Sequence, residues 1–244
     1  MQKNKISNRI HLIAKQAKIL KPYFLSIADI GTDHGYLPYI MHSDDSIGSS
    51  ILCDINNGPL ENAKKTFEGH DQYPVEFRLG SGLEPLEPKE SELVVIAGMG
   101  GGLIQDILIN DLEKSKSYPY FLIQPMTEQD QLRSFLIDNG FNILWDHFFI
   151  DAKKHYELIV VSTNFDTDVE YKYDLISIPC NDLEFGKRIR KSQVDAYLEF
   201  LENKKSKYEY ILNQVTKNNY NEKVTKCNTK LSTILTIEQT LKTL

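Results

Sequence analysis

The chain has 244 residues, enough for one full domain core with an appendage of roughly 50 residues or more. Its net charge of -6 is unevenly spread: residues 1–185 hold 16 Lys and Arg against 28 Asp and Glu, whereas residues 186–244 hold 12 against 6. The N-terminal stretch MQKNKISNRIHLIAKQAKIL has no continuous apolar segment, which argues against a signal peptide or a membrane span and predicts a cytoplasmic protein with no membrane partner.

Cys53, Cys180 and Cys227 are far apart, and the six histidines form no HExxH pattern, so the expectation is reduced thiols and no protein-bound metal, leaving only magnesium carried by a substrate. The basic tail suggests an anionic partner such as a nucleic acid at the tail and its junction. A solvated, lysine-rich helix explains the same composition.

After Ser7, read as an N-cap, Ile10, Ile13, Ala14, Ala17 and Leu20 repeat with helical spacing until Pro22. Seven short apolar runs follow: FLSIADI (24–30), SILCDI (50–55), VEFRL (75–79), ELVVIAG (92–98), YFLIQP (120–125), FNILWDHFFI (141–150) and HYELIVVST (155–163). Their lengths and bounding turns suit strands. Helical patterns lie between them in NGPLENAKKTFEG, GGLIQDILIND and EQDQLRSFLIDNG. Strand then helix, repeated, predicts an α/β fold with a doubly wound, mostly parallel sheet. The last two strands are separated only by DAKK, too short for a crossover, so an antiparallel edge hairpin is expected.

Residues 165–185 read as a linker between a cofactor-binding domain, 1–164, and a C-terminal arm, 186–244. In the arm, Val194, Tyr197, Leu201, Lys204, Tyr208, Ile211 and Val215 step by three and four. Val224, Cys227, Leu231, Ile234, Glu238 and Leu241 do the same after the polar break KNNYNE. Two helices paired as an antiparallel hairpin are expected, with Lys204 and Glu238 interrupting the seam.

The stretch IADIGTDHGYLP carries the chemistry. A strand ending in Asp29, then Gly31 and Gly35 at the mouth of a helix, is a nucleotide-cofactor turn in which free N–H groups meet a ligand. Asp33 stands where many such turns have a third glycine. A carboxylate there repels a pyrophosphate and attracts an ammonium or sulfonium, which favours S-adenosylmethionine over NAD. Asp54, ending the second strand, suits a ribose diol, or else is a surface aspartate in a polar turn. Ser81 in GSGLEP suits an adenine. AGMGGG (97–102) gives a wall with little side chain, or a tight turn that needs glycine for packing. Gln124 and Pro125 in QPMT lie at the expected carboxyl edge of the sheet.

Together SNRI, ADIGTDHGYLP, GPLENA, GSGLEP, IAGMGGGLI, LIQPM, LRSFLIDNGF, YELIVV and the helical arm resemble the TrmK family, bacterial tRNA (adenine-22-N1)-methyltransferases of the class I S-adenosylmethionine-dependent fold. The resemblance covers nearly the whole chain. It implies a seven-stranded methyltransferase domain, a helical hairpin that helps grip tRNA, and S-adenosyl-L-methionine as cofactor. It places Asp29, Gly31, His34, Asp54, the Gly80–Ser81–Gly82 turn and Gly98 around the donor, and Asp33 facing the methyl-transfer site; Gly35 and Ile55 are further cofactor-binding candidates beside them. The family commonly shows GDGL where this chain has GSGL, so Ser81 replaces a carboxylate that would accept from the adenine amine. A hydroxyl accepts without charge assistance.

Asp33 is the candidate for stabilising the cation formed when adenine N1 is methylated, with His34 orienting it or shuttling a proton. The rival readings give Asp33 only the donor's ammonium and His34 a helix cap. Tyr36 and Met99 are placed to replace lost base stacking, though an aromatic beside such a turn also suits core packing. Arg9, Lys187, Arg188, Arg190 and Lys191, with the KKSK run at 204–207, are candidate phosphate contacts. The expected partner is tRNA rather than DNA, and a monomer is favoured. The alternatives are a methyltransferase with another acceptor, an NAD-dependent dehydrogenase, or a binding module with a vestigial pocket.

Overall fold

β-Branched and aliphatic runs bounded by glycine, proline and charged turns make strands, and the amphipathic stretches between them cover both faces of the resulting sheet. The computed structural model describes residues 6–164, 172–215 and 221–243. In chain order the elements begin α1 (Asn8–Leu20), β1 (Phe24–Ile30), α2 (Tyr36–Ser43), β2 (Ile47–Asp54), α3 (Asn57–Phe67), β3 (Val75–Leu79) and β4 (Leu93–Met99). They continue α4 (Gly101–Ile109), α5 (Leu112–Lys116), β5 (Tyr120–Pro125), α6 (Gln129–Asp138), β6 (Asn142–Asp151) and β7 (Lys154–Ser162). Last come β8 (Leu175–Ser177), β9 (Arg188–Arg190), α7 (Val194–Val215) and α8 (Asn221–Leu241).

The seven-stranded sheet has the order β3-β2-β1-β4-β5-β7-β6. β1 lies between β2 and β4, parallel to both, whereas β7 runs antiparallel to β5 and β6. Alternation along the strands sends Ile27, Leu93, Val95 and Leu122 to the face that α1 and α2 cover. Ala28, Ile30, Val94, Ile96 and Ile123 go to the face under α4 and α6. The strand order reverses at β1/β4, so their carboxyl ends open a crevice where sheets of this kind bind ligands.

The arm has a core of its own, in which Tyr197, Phe200 and Leu201 of α7 and Ile234, Ile237 and Leu241 of α8 meet Phe148 of β6, Phe185 and Ile189. Lys204, expected to interrupt the seam, turns away from it: its Nζ lies 3.1 Å from Glu184, in the segment leading to the arm, and 3.9 Å from Glu157 of β7. Glu184 also accepts from Tyr208 and Lys230. Burial works against its ionisation, but Lys204, Tyr208 and Lys230 outweigh burial and hold its carboxyl down to about 2. Deeper still, Arg133 of α6 is wholly buried between Asp146 (2.8 Å) and Glu157 (2.7 Å) and donates to the Leu183 carbonyl at 3.0 Å.

Three sequence expectations change. Residues 165–171 of the expected linker and the break at 216–220 lie outside the described residues, but 172–185 is not a free linker: β8 pairs with β9, and a 3-10 turn, Leu183–Phe185, buries Phe185. The segment holding Lys187, Arg188, Arg190 and Lys191 is not a solvated helix start either. Ile189 inserts into the arm's core and Asp146 accepts from the Lys187 amide at 2.7 Å, so this segment runs as strand β9 and then a 3-10 turn. Ser7 precedes α1 in extended conformation without a side-chain capping bond.

Candidate active site

Asp29 is the penultimate residue of β1, with Leu52 and Val95 as its neighbours in register, so its side chain points to the face covered by α1 and α2. The turn beyond it is drawn across to β2, with Gly31 N and Thr32 N donating to the Cys53 carbonyl at 2.8 and 3.1 Å. Gly31 has φ +73°, and a Cβ there would lie 2.1 Å from Met99 Cε. A side chain would therefore need both a left-handed backbone and displacement of Met99. Gly35 immediately precedes α2 and donates its N–H to Thr32 Oγ1 at 3.2 Å. Thr32 thus holds this turn, and the helix start has no side-chain cap from His34.

A cleft of about 440 Å³ opens above this turn. It is lined by Asp29, Gly31, Asp33, His34, Gly35 and Tyr36 on one side and by Arg9, Ile10, Ile13, Ala97 and Gly98 on the other. Burial against these apolar neighbours raises the Asp29 carboxyl to about 6, and a hydrogen bond from Thr32 offsets only part of the penalty. Asp33 is by contrast exposed at the mouth, with His34 Nε2 3.4 Å from its Oδ2. The His34 ring stacks on Tyr36 with centroids 5.0 Å apart. The charge set is a buried carboxylate, an exposed carboxylate and one guanidinium opposite.

Arg9 is inside the cleft, not on an outer RNA-facing surface. Its Nη1 donates to Gln124 Oε1 at 2.7 Å, its N–H donates to Asp151 at 3.2 Å, and the guanidinium sits 5.8 Å over the Tyr156 ring. Gly98, at φ +85°, leaves room beside it: a Cβ there would lie 3.3 Å from Nη1. Gln124 is wholly buried and Pro125 is buried behind it, so both back Arg9 and offer no open surface to a substrate. The glycines of AGMGGG serve both readings, because Gly101 is needed for packing against the carbonyls of Thr127 and Glu128 while Gly98 faces the cleft.

Asp54 lies at the end of β2 and accepts from Asn56 N at 2.7 Å. Ile55 and Leu79, just beyond or at the ends of β2 and β3, are exposed apolar side chains at the carboxyl edge, as are Leu103 and Met126 farther along it. Gly80 donates to the Asp54 carbonyl at 3.0 Å, which ties the GSG turn to the second strand. Ser81 and Gly82 line a separate groove of about 390 Å³ with Glu84, Asp106 and Asn110. Lys187, Arg188, Arg190 and Lys191 are not gathered at the cleft: Arg188 reaches Asn142 at the opposite, amino end of β6, and Arg190 bonds Ser192. Sequence reasoning missed Thr32 and the exposed Leu79, Leu103 and Met126; an apolar residue at or just past a strand's carboxyl end was the available signal.

A sheet of this order with an antiparallel seventh strand, and an acidic turn after the central strand, define a class I methyltransferase rather than a dinucleotide dehydrogenase. The chain belongs to the tRNA (adenine(22)-N(1))-methyltransferase family, TrmK, whose profile matches residues 27–236. The Bacillus subtilis tRNA (adenine(22)-N(1))-methyltransferase is 29% identical over 180 residues, covering 73% of this chain and 72% of its own. A Streptococcus pneumoniae relative crystallised with S-adenosyl-L-methionine is 27% identical with TM-score 0.72, covering 95% of this chain and 99% of that one. Mycoplasma capricolum TrmK with S-adenosyl-homocysteine is also 27% identical with TM-score 0.72, covering 97% and 98%. No described helix is long and apolar enough to cross a membrane.

Proposed function

We propose that the cleft beside Asp29 holds S-adenosyl-L-methionine and that the chain transfers its methyl group to N1 of adenine 22 in tRNA, with Asp33 and His34 at the transfer end. The activity and cofactor are those of the family. The observation that carries the residue assignment is the pairing of buried Asp29 with exposed Asp33 across from Arg9. Two carboxylates suit an ammonium and a sulfonium, and the guanidinium suits the carboxylate of the same amino-acid moiety. A pyrophosphate would meet both carboxylates.

The bound donor supplies an electrophilic methyl group on a sulfonium. The protein's part is positional, since N1 must approach in line with the departing sulfur. Asp54 accepts from the ribose hydroxyls, and Ile55 and Leu79 offer apolar surface to the faces of the purine. Gly31 and Gly98 keep the floor free of side chains. As the N1–C bond forms and the C–S bond breaks, positive charge passes to the adenine ring, where Asp33 stabilises it. His34, held between Asp33 and Tyr36, orients that carboxylate. Leu103 and Met126, with Tyr36, provide apolar contact for a base taken out of its stack. Every residue in this scheme comes from one chain, so a monomer suffices, and a tRNA substrate argues for action in the cytoplasm.

Asp33→Asn separates the two roles of that carboxylate. A catalytic role gives a fall in kcat of roughly 10²-fold or more, over and above any loss of donor affinity. A pure rise in donor Kd with kcat intact would remove Asp33 from the chemistry.

A further inference from the structure

The connection between β6 and β7 is a two-residue turn whose central residues, Ala152 and Lys153, have φ +46° and +66°. This is the backbone of a type I′ hairpin turn, which favours Asn-Gly because both positions are left-handed. Neither Ala nor Lys relieves that strain. A strained position held by side chains that do not relieve it points to a function for those side chains. The next residues are Lys154 and His155, both exposed, as is Lys153. Among the described residues neither lysine has an acidic partner within ion-pair distance, although residues 1–185 are strongly acidic as a whole.

The tip is fastened to the cleft. Asp151 accepts from the Arg9 amide at 3.2 Å, and Tyr156, just beyond the tip, lies under the Arg9 guanidinium. Arg9 and Ser7 line the cleft itself. The hairpin tip therefore adjoins the wall of the cleft that Arg9 forms, at the carboxyl edge of the sheet. Arg188, by contrast, reaches toward the amino end of β6.

We propose that the β6–β7 hairpin tip is a tRNA contact, in which Lys153 and Lys154 bind backbone phosphates flanking the nucleotide whose base enters the cleft. The proposal rests on the reading of the chain as a tRNA methyltransferase. A base drawn into a cleft leaves its neighbouring phosphates at the rim, where unpaired cations in an otherwise acidic body fix the register of the RNA. Lysine suits this role as a point charge without a fixed hydrogen-bond geometry.

The test uses the full chain, unmodified tRNA and a salt titration of tRNA Kd. Lys153→Ala/Lys154→Ala is expected to weaken binding on the order of tenfold at 0.1 M salt and to flatten the log–log salt slope by about 1.5, with the S-adenosyl-L-methionine Kd unchanged. Ala152→Asn/Lys153→Gly removes the strain and one charge, so it is expected to raise Tm while weakening tRNA binding. A tRNA Kd and salt slope equal to wild type in both variants, with donor binding intact, would overturn the proposal. Wild type that binds donor but no tRNA would instead overturn the functional reading, and this contact with it.

Discussion

Asp29→Asn separates what the candidate site costs the fold from what it does for the ligand. Burial raises the Asp29 carboxyl from 3.8 to about 6, a difference of about 3 kcal/mol between its two protonation states at about 1.4 kcal/mol per unit. The sign follows from linkage. The folded protein takes up the proton more readily than the unfolded chain, so the carboxyl favours folding below about pH 4 and that contribution is lost as pH rises through about 6. At neutral pH Asp29 is therefore a buried charge that destabilises the fold. The Asn variant is expected to be more stable than wild type at pH 7.5 by up to about 3 kcal/mol, or roughly 6 to 12 °C in Tm for a chain of this length, with the gap closing as pH falls toward 4. Scanning fluorimetry across pH measures this directly. The same variant is expected to lose donor affinity, and wild-type affinity is expected to fall about tenfold per unit below pH 6 as the carboxyl protonates. An Asn variant no more stable than wild type, or a gap that does not change between pH 4 and 7.5, would refute the buried-charge account.

Two further changes probe the cofactor pocket and the docking of the arm. Ser81→Asp places a charged acceptor at the turn that Gly80 ties to Asp54, and if the donor's adenine reaches the groove there it is expected to tighten S-adenosyl-L-methionine binding several-fold by calorimetry, because charge-assisted hydrogen bonds are about twice as strong as neutral ones; unchanged affinity would place the adenine outside that groove. Arg133→Met leaves Asp146 and Glu157 buried without their cation and is expected to cost about 3 to 5 kcal/mol in chemical denaturation, with Asp146→Leu/Glu157→Leu in the same background recovering part of the loss.

The sheet was legible because its signals are local. Each of the seven apolar runs formed a strand, and the four-residue gap DAKK forced the hairpin that places β7 antiparallel. The glycine turn was legible for the same reason: Asp29, Gly31, Asp33, His34 and Gly35 lie in one short stretch, and one crevice gathers them. What could not be read depends on partners far along the chain. β8 and β9 have three residues each and only pair with one another, and two arginines in Arg188–Arg190 hide a strand whose middle residue, Ile189, is wholly buried under the arm. Arg9 carries no local mark of its place in the cleft, since its partner Gln124 lies 115 positions away. Lys204 broke the heptad pattern because the partners that explain it, Glu157 and Glu184, belong to the main domain and the segment leading to the arm.

Transfer of a labelled methyl group to unmodified tRNA, followed by mapping of the modified base, tests the central claim most directly. The account expects a single label at N1 of adenine 22, absent when the donor is withheld and strongly reduced in Asp33→Asn. Label at another position, or donor binding without transfer to tRNA, would contradict it.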